Sequence, residues 1–140
     1  SPKATRPWQH VLEPLSGYLL VGQRLLEGDA SVASAWNLGP DDEGAASVGD
    51  IVKLVEKAWP GIDFKVACQT DAPHEAKLLM LACSKAKTQL NWRPVWKISE
   101  TVERTVSWYR SFYESGEIRT NNDLKLYISE ASAKGLPWTK

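Results

Sequence analysis

Two short clusters of polar side chains are the clearest candidates for chemistry in this sequence. The first is Arg6-Pro7-Trp8-Gln9-His10, which directly precedes a helical pattern. A guanidinium makes paired hydrogen bonds to phosphate oxygens, and an indole can pack on a base. These residue types allow a phosphate-binding site at Arg6, with Trp8 packed nearby or stacked on a base. Taken alone, they favour the alternative of an exposed loop arginine and a buried tryptophan.

The second cluster is Pro73-His74-Glu75, in a polar loop that follows an apolar stretch. The Glu75 carboxylate can accept hydrogen bonds from ribose hydroxyls, and the His74 imidazole can contact a sugar or a phosphate. The alternative is a solvated polar loop. Asn37 is a further candidate, because a polar side chain within an apolar stretch is expected to be buried and to bond backbone groups.

Other kinds of site are not indicated. The sequence has no Gly-rich phosphate loop and no serine nucleophile elbow, so no catalytic residue is predicted. The two histidines and two cysteines lack the spacing of metal ligands, and no metal site is expected. Seventeen basic residues balance seventeen acidic ones, which gives no electrostatic reason to expect nucleic acid or a membrane surface as a partner. No signal peptide or membrane span is visible, and we expect a cytoplasmic protein.

The clusters must be held by a mixture of helices and short strands. Apolar spacing predicts helices at residues 11–26, 48–59, 100–113 and 123–134, with Ser47, Ser99 and Asn122 as N-caps. The first of these helices carries its leucines in a stripe from Leu12 to Leu26. Apolar runs predict strands at residues 33–38 and 62–68, and an extended piece at 78–81. Two or three strands make only a small sheet, so the pattern favours a mixed α/β (α+β) fragment of a larger fold.

Residues 83–96 carry the sharpest local signal. Ser84 is predicted to cap a short helix, which Asn91 ends in a left-handed conformation and Pro94 prevents from resuming. Trp92 and Trp96 lie on either side of the proline, so this turn must pack on an apolar surface.

Five strings together resemble the C-terminal part of CDP-glucose 4,6-dehydratases, which are nucleotide-sugar enzymes of the extended short-chain dehydrogenase/reductase (SDR) family. They are Arg-Pro-Trp-Gln-His-Val-Leu-Glu-Pro-Leu from residue 6, Trp-Asn-Leu-Gly-Pro from 36, Pro-His-Glu-Ala from 73, Cys-Ser-Lys-Ala from 83 and Leu-Asn-Trp-Arg-Pro from 90. The last string, with Thr-Val-Ser-Trp-Tyr from 105, is shared widely by nucleotide-sugar epimerases and dehydratases. The first and third point to the CDP-glucose branch.

The resemblance implies the C-terminal substrate-binding lobe of an extended SDR fold, with a few elements of the Rossmann half. It implies a CDP-sugar substrate, bound through Arg6, Trp8, His74 and Glu75, whereas His10 and Asn37 match positions whose role can be structural. NAD and the catalytic Tyr-x-x-x-Lys pair belong to an N-terminal Rossmann half, so this chain alone is expected to hold no cofactor and not to catalyse. The implied pathway supplies deoxysugars for O-antigen and lipopolysaccharide.

We divide the chain into a substrate-binding portion at residues 1–116 and a helical tail at 117–140. Leu78, Met80 and Ala82 depart from the family pattern, which leaves a non-catalytic nucleotide-sugar-binding module as an alternative to the enzyme. Another nucleotide-sugar epimerase or dehydratase is a second alternative. The expected partners are the missing Rossmann half and a possible homo-oligomer. Without that half, the leucine stripe is expected to be exposed or repacked, with self-association or a partly loosened structure as the result.

Overall fold

The computed structural model describes residues 1–41, 45–66 and 77–139. In chain order they form β1 (Thr5–Arg6), α1 (Leu12–Leu26), a 3₁₀ turn (Ala30–Val32), β2 (Ala46–Ser47) and α2 (Val48–Ala58). A π-helical turn (Ala86–Leu90), α3 (Ile98–Ser115), α4 (Thr120–Ala133) and a second 3₁₀ turn (Pro137–Thr139) follow. The architecture is rich in helix with one small sheet, as expected for a mixed α/β fragment.

The sheet of the described residues is a ribbon of two strands with two residues in each. β1 and β2 pair antiparallel, with Thr5 opposite Ser47 and Arg6 opposite Ala46. The extended piece at 78–81 joins this ribbon only through a parallel bridge between Thr5 and Leu78. The predicted strand at 33–38 is irregular, and residues 62–66 are not a strand either. The prediction at 33–38 was wrong, and so was the one at 62–68 over its described part, while residues 67–68 lie outside the described ranges. These apolar runs have no neighbouring strand in the described chain to supply ladder hydrogen bonds.

All four predicted helices are present, but only one predicted N-cap is correct. Ser47 and Asp50 form a capping box at α2, with the Ser47 hydroxyl 3.2 Å from the Asp50 amide. Ser99 and Asn122 lie inside the helices that they were predicted to cap, and Ser84 is the first helical residue of the segment that leads into the π-helical turn. These helix starts are therefore one to three residues earlier in the chain than local cap preference suggested.

Helix α1 buries an unexpected face. Its buried residues are Glu13, Ser16, Gly17 and Leu20, whereas Leu19 is 76% and Leu26 is 92% exposed. Gly17 permits the buried contact, because a Cβ built there would lie 2.3 Å from a Leu38 methyl carbon. Leu12 packs against the core, but Leu15, Leu19 and Leu26 of the leucine stripe are exposed.

Two apolar clusters hold the fold together. The first joins α1 to the π-helical turn through Leu20, Val32, Leu38, Ala86, Leu90 and Trp92. The second joins the end of that turn to α4 and the last 3₁₀ turn through Val95, Trp96, Tyr127, Ala131 and Leu136. Helix α4, in the predicted tail, therefore contributes to the core. None of the helices in the described ranges combines the length and the apolar character that a bilayer crossing requires.

Candidate functional site

Arg6 lies on the ribbon beside residues 40–41. It is partly buried, and one guanidinium nitrogen donates a 2.7 Å hydrogen bond to the Thr5 carbonyl. The side chain borders a small pocket together with Pro40, Asp41 and Met80. The ribbon fixes the Arg6 backbone, and this local bond limits the positions that the guanidinium can take.

Trp8 lies two residues after Arg6 and is also bonded to the ribbon. Its indole N–H donates a 3.0 Å hydrogen bond to the Ala46 carbonyl in β2. One side of the residue borders a cleft of about 240 Å³, which Pro40, Asp41, Trp96 and Lys134 also line. Because Pro40 and Asp41 border the pockets of both residues, the fold brings Arg6 and Trp8 to one edge. Trp8 offers ring surface there, since its only donor is already used.

The remaining sequence-predicted residues are placed differently. His10 is 9% exposed and packs edge-to-face against Trp96, with ring centroids 4.7 Å apart. Asn37 is exposed, so the prediction that it is buried was wrong, but its amide donates to the Ala82 carbonyl at 3.3 Å as expected. His74 and Glu75 lie outside the described residues.

Glu13, which was not among the residues predicted from the sequence, accepts three hydrogen bonds. It is fully buried, and its two carboxylate oxygens accept hydrogen bonds from the backbone N–H of Val95 at 2.9 Å and of Trp96 at 2.8 Å. The Tyr127 hydroxyl donates a third bond at 2.7 Å. One side chain at the start of α1 thereby fixes both the turn that follows Pro94 and helix α4.

Electrostatics around Glu13 are those of a buried, compensated charge. Burial raises the pKa of Glu13, and the two backbone donors, Tyr127 and the positive charge of Lys134 oppose that rise. Burial and the neighbouring Glu13 charge raise the pKa of Tyr127, which keeps its hydroxyl a donor. Lys134 also donates to the Val95 carbonyl, so both backbone polar groups of Val95 are held by side chains.

The turn itself has the conformation that the sequence predicted. Asn91 adopts a left-handed backbone with φ of 53° and ends the π-helical turn. The following Trp92 is fully buried, and its indole N–H donates to the Ser16 hydroxyl at 2.9 Å. Because residues 94–99 line the cleft beside Trp8, the bonds to Glu13 and Ser16 also fix one wall of the candidate site.

Comparison with known proteins adds a clear relationship. No family model matches the chain. The chain is 45% identical over 131 residues to the CDP-glucose 4,6-dehydratase of Salmonella typhimurium strain LT2, and the match covers 92% of this chain and 36% of that protein. It is also 30% identical over 103 residues to UDP-glucose 4-epimerase 2 of Oryza sativa subsp. japonica, with 74% of this chain and 24% of that protein covered.

The chain belongs to the extended SDR superfamily. It spans well under half the length of the two curated relatives. Its mixed helix and sheet content is consistent with a fragment of an extended SDR fold, as the resemblance implied. Arg6 and Trp8 lie among its first residues.

Proposed function

We propose that this chain is the substrate-binding portion of an NAD-dependent CDP-glucose 4,6-dehydratase, which converts CDP-glucose to CDP-4-keto-6-deoxyglucose. The observation that carries the proposal is the 45% identity to a protein of that name along 92% of this chain. The longer protein is then an enzyme that acts in the cytoplasm and supplies deoxysugars for O-antigen and lipopolysaccharide. This chain alone does not catalyse.

The proposed substrate contacts start from the Arg6 and Trp8 edge. Arg6 binds the diphosphate, since a guanidinium is a fixed donor fork that suits phosphate oxygens. Trp8 packs its ring face on the nucleoside, because its N–H is held by the Ala46 carbonyl. His74 and Glu75 stay in the proposal as predicted contacts to the sugar and ribose hydroxyls.

His10 and Asn37 are proposed to support the site. His10 accepts a hydrogen bond from the Leu12 amide through Nδ1 at 3.3 Å, and it packs on Trp96. Asn37 connects residues 33–38 to the segment before the π-helical turn. Neither side chain is proposed to contact the CDP-sugar.

NAD is not assigned to residues of this chain. Its 140 residues contain neither a Gly-rich dinucleotide turn nor a Tyr-x-x-x-Lys pair, so they do not fit the cofactor. When bound elsewhere in the longer protein, NAD supplies the hydride chemistry. The residues of this chain bind and orient the CDP-sugar.

The exposed face of α1 is proposed to pack on the Rossmann half of the same protein. Its large side chains are unpartnered along four turns of helix: Val11, Leu15, Tyr18, Leu19 and Leu26 are 43% to 92% exposed. A soluble helix normally buries such a stripe. A homo-oligomer is the alternative occupant.

A second candidate is another nucleotide-sugar epimerase or dehydratase, which the match to UDP-glucose 4-epimerase 2 favours. A third, favoured by the departures at Leu78, Met80 and Ala82, is a nucleotide-sugar-binding module without turnover. Assaying the full-length protein with NAD and CDP-, dTDP-, UDP- or GDP-glucose separates the three. We expect 4-keto-6-deoxy product from CDP-glucose. Faster turnover of another nucleotide sugar favours the second candidate, and binding without product favours the third.

A further inference from the structure

A cleft of about 400 Å³ lies between the start of α1, α3 and α4. Its volume is in the range of small-molecule sites, and its walls are mainly apolar. Residues 9–12 form one side, Trp108 and Tyr109 of α3 form the second, and Thr120 and Asp123 of α4 form the third.

Asp123 and Gln9 border this cleft with acceptor groups that receive no hydrogen bond from the described residues. Asp123 is 8% exposed, and its carboxylate accepts no hydrogen bond and makes no ion pair within the described residues. The Gln9 side-chain oxygen is also buried without a donor. The Gln9 amide nitrogen already donates to the Leu38 carbonyl at 3.0 Å, which fixes the orientation of this side chain. The Gln9 oxygen is enclosed and out of a ligand's reach, so Asp123 carries the acceptor for which a ligand in the cleft can supply an N–H or O–H donor.

His10 borders the same cleft without neutralising Asp123. Its Nδ1 accepts from the Leu12 amide, so a neutral ring carries its proton on Nε2. Burial lowers the pKa of His10 more than the Asp123 charge raises it, and the ring is neutral at pH 7. The His10 ring therefore supplies no positive charge to the cleft.

Two aromatic rings complete the arrangement. Trp108 and Tyr109 pack edge-to-face with centroids 5.2 Å apart. The Trp108 indole N–H donates to the Thr120 hydroxyl at 2.9 Å, so Trp108 presents ring surface to a ligand. Aromatic faces attract organic cations as well as apolar groups.

We propose that this cleft binds a small organic primary ammonium ion with an aromatic or branched apolar body, its nitrogen donating to the Asp123 carboxylate. The apolar body then lies against Trp108 and Tyr109. Gln9 and His10 directly follow Trp8 in the chain, but neither Arg6 nor Trp8 lines this cleft. The inference therefore goes beyond the proposed CDP-sugar function.

The test uses phenethylammonium chloride as the probe, titrated into the full-length protein by calorimetry. Two molecules of similar shape, 2-phenylethanol and 3-phenylpropionate, replace the cation by a neutral group and by an anion. We expect saturable binding of the cation, at least tenfold weaker binding of the alcohol and none of the carboxylate. Asp123→Asn is expected to weaken cation binding at least tenfold, while Asp63→Asn, at an exposed aspartate outside the cleft, leaves it unchanged.

Equal binding of the three probes, or no binding of the cation, overturns the proposal. Cation binding that Asp123→Asn leaves intact overturns it as well. If Asp123→Asn does not fold, Trp108→Leu serves in its place: a several-fold loss of cation affinity supports the site, and an unchanged affinity contradicts it. Circular dichroism of each variant identifies a folded protein.

Discussion

The carboxylate of Glu13 accepts a 2.7 Å hydrogen bond from the hydroxyl of Tyr127, 114 positions further along the chain. The same carboxylate receives the backbone N–H groups of Val95 and Trp96. Three parts of the sequence, the start of α1, the turn after Pro94 and helix α4, are therefore positioned by one buried charge. This contact fixes the wall of the cleft beside Trp8.

Glu13→Gln is expected to lower the free energy of unfolding by about 2–3 kcal/mol, because an amide cannot accept both backbone bonds and leaves a buried N–H unpaired. Urea denaturation followed by tryptophan fluorescence measures the change. Glu103→Gln, at an exposed glutamate of α3, is the matched control and should stay within about 0.5 kcal/mol of the parent chain. Equal effects of the two substitutions would show that the Glu13 contacts are not essential to the fold.

His10 predicts a specific dependence of stability on pH. Burial lowers its pKa below the ordinary value of 6.5. As the pH falls below 6.5, the unfolded chain therefore takes up a proton that the folded chain does not, and the free energy of unfolding decreases. His10→Asn keeps an acceptor for the Leu12 amide but removes this titration. Denaturation at several pH values between 7 and 5 measures the free energy of unfolding. This free energy should fall more steeply with decreasing pH for the parent chain than for His10→Asn, by at most about 1.4 kcal/mol per pH unit. Parallel curves would contradict the prediction.

Two glycines of α1 should respond to alanine in opposite directions. At Gly17 a new Cβ collides with Leu38, which is itself buried, so Gly17→Ala is expected to destabilise the chain by about 1–2 kcal/mol. At Gly22 a new Cβ meets nothing within 4 Å, so Gly22→Ala gains helix propensity and stabilises by about 0.5–1 kcal/mol. Thermal denaturation of both variants checks the signs. A stabilising Gly17→Ala would mean that α1 does not pack closely on Leu38.

The 140-residue chain should self-associate through the exposed face of α1. Leu19→Lys with Leu26→Lys is expected to reduce the association, because the charges interrupt the apolar stripe at its two most exposed leucines. Light scattering after size-exclusion chromatography gives the mass. Lys at two exposed positions of α4, Ser129→Lys with Ser132→Lys, makes a control variant whose mass should not change. A monodisperse parent monomer is the result that this prediction does not allow.

Arg6→Ala in the full-length protein is expected to raise the KM for CDP-glucose by about 10- to 100-fold, the loss of one charge-assisted pair of hydrogen bonds. Arg6→Lys should recover part of this loss, since lysine keeps the charge but not the donor fork. Arg110→Ala, at an exposed arginine paired with Glu114, is the control. Steady-state kinetics that give the same KM for Arg6→Ala and the parent would remove Arg6 from the site.

Helices could be predicted here because their evidence is local. The spacing in residues 48–59 and the Ser47 capping box depend on nearby residues, as does the left-handed Asn91. Strands could not be predicted in this way, because residues 33–38 and 62–66 would need a partner strand that the described chain does not provide. The buried face of α1 was also missed, since apolar periodicity marked the exposed leucine stripe. The signal that could have found it is the spacing of Glu13, Ser16, Gly17 and Leu20, which places one carboxylate among small residues on a single face.

Photolabelling tests the central claim most directly. A photoreactive CDP-glucose analogue with an azide on the cytosine is cross-linked to the full-length protein, and the modified peptides are identified by mass spectrometry. The account predicts labelling within residues 1–140, at the peptide that contains Arg6 and Trp8 or the one that contains His74 and Glu75, and protection by CDP-glucose but not by dTDP-glucose. Labelling confined to peptides outside these 140 residues, or stronger protection by dTDP-glucose, would contradict it.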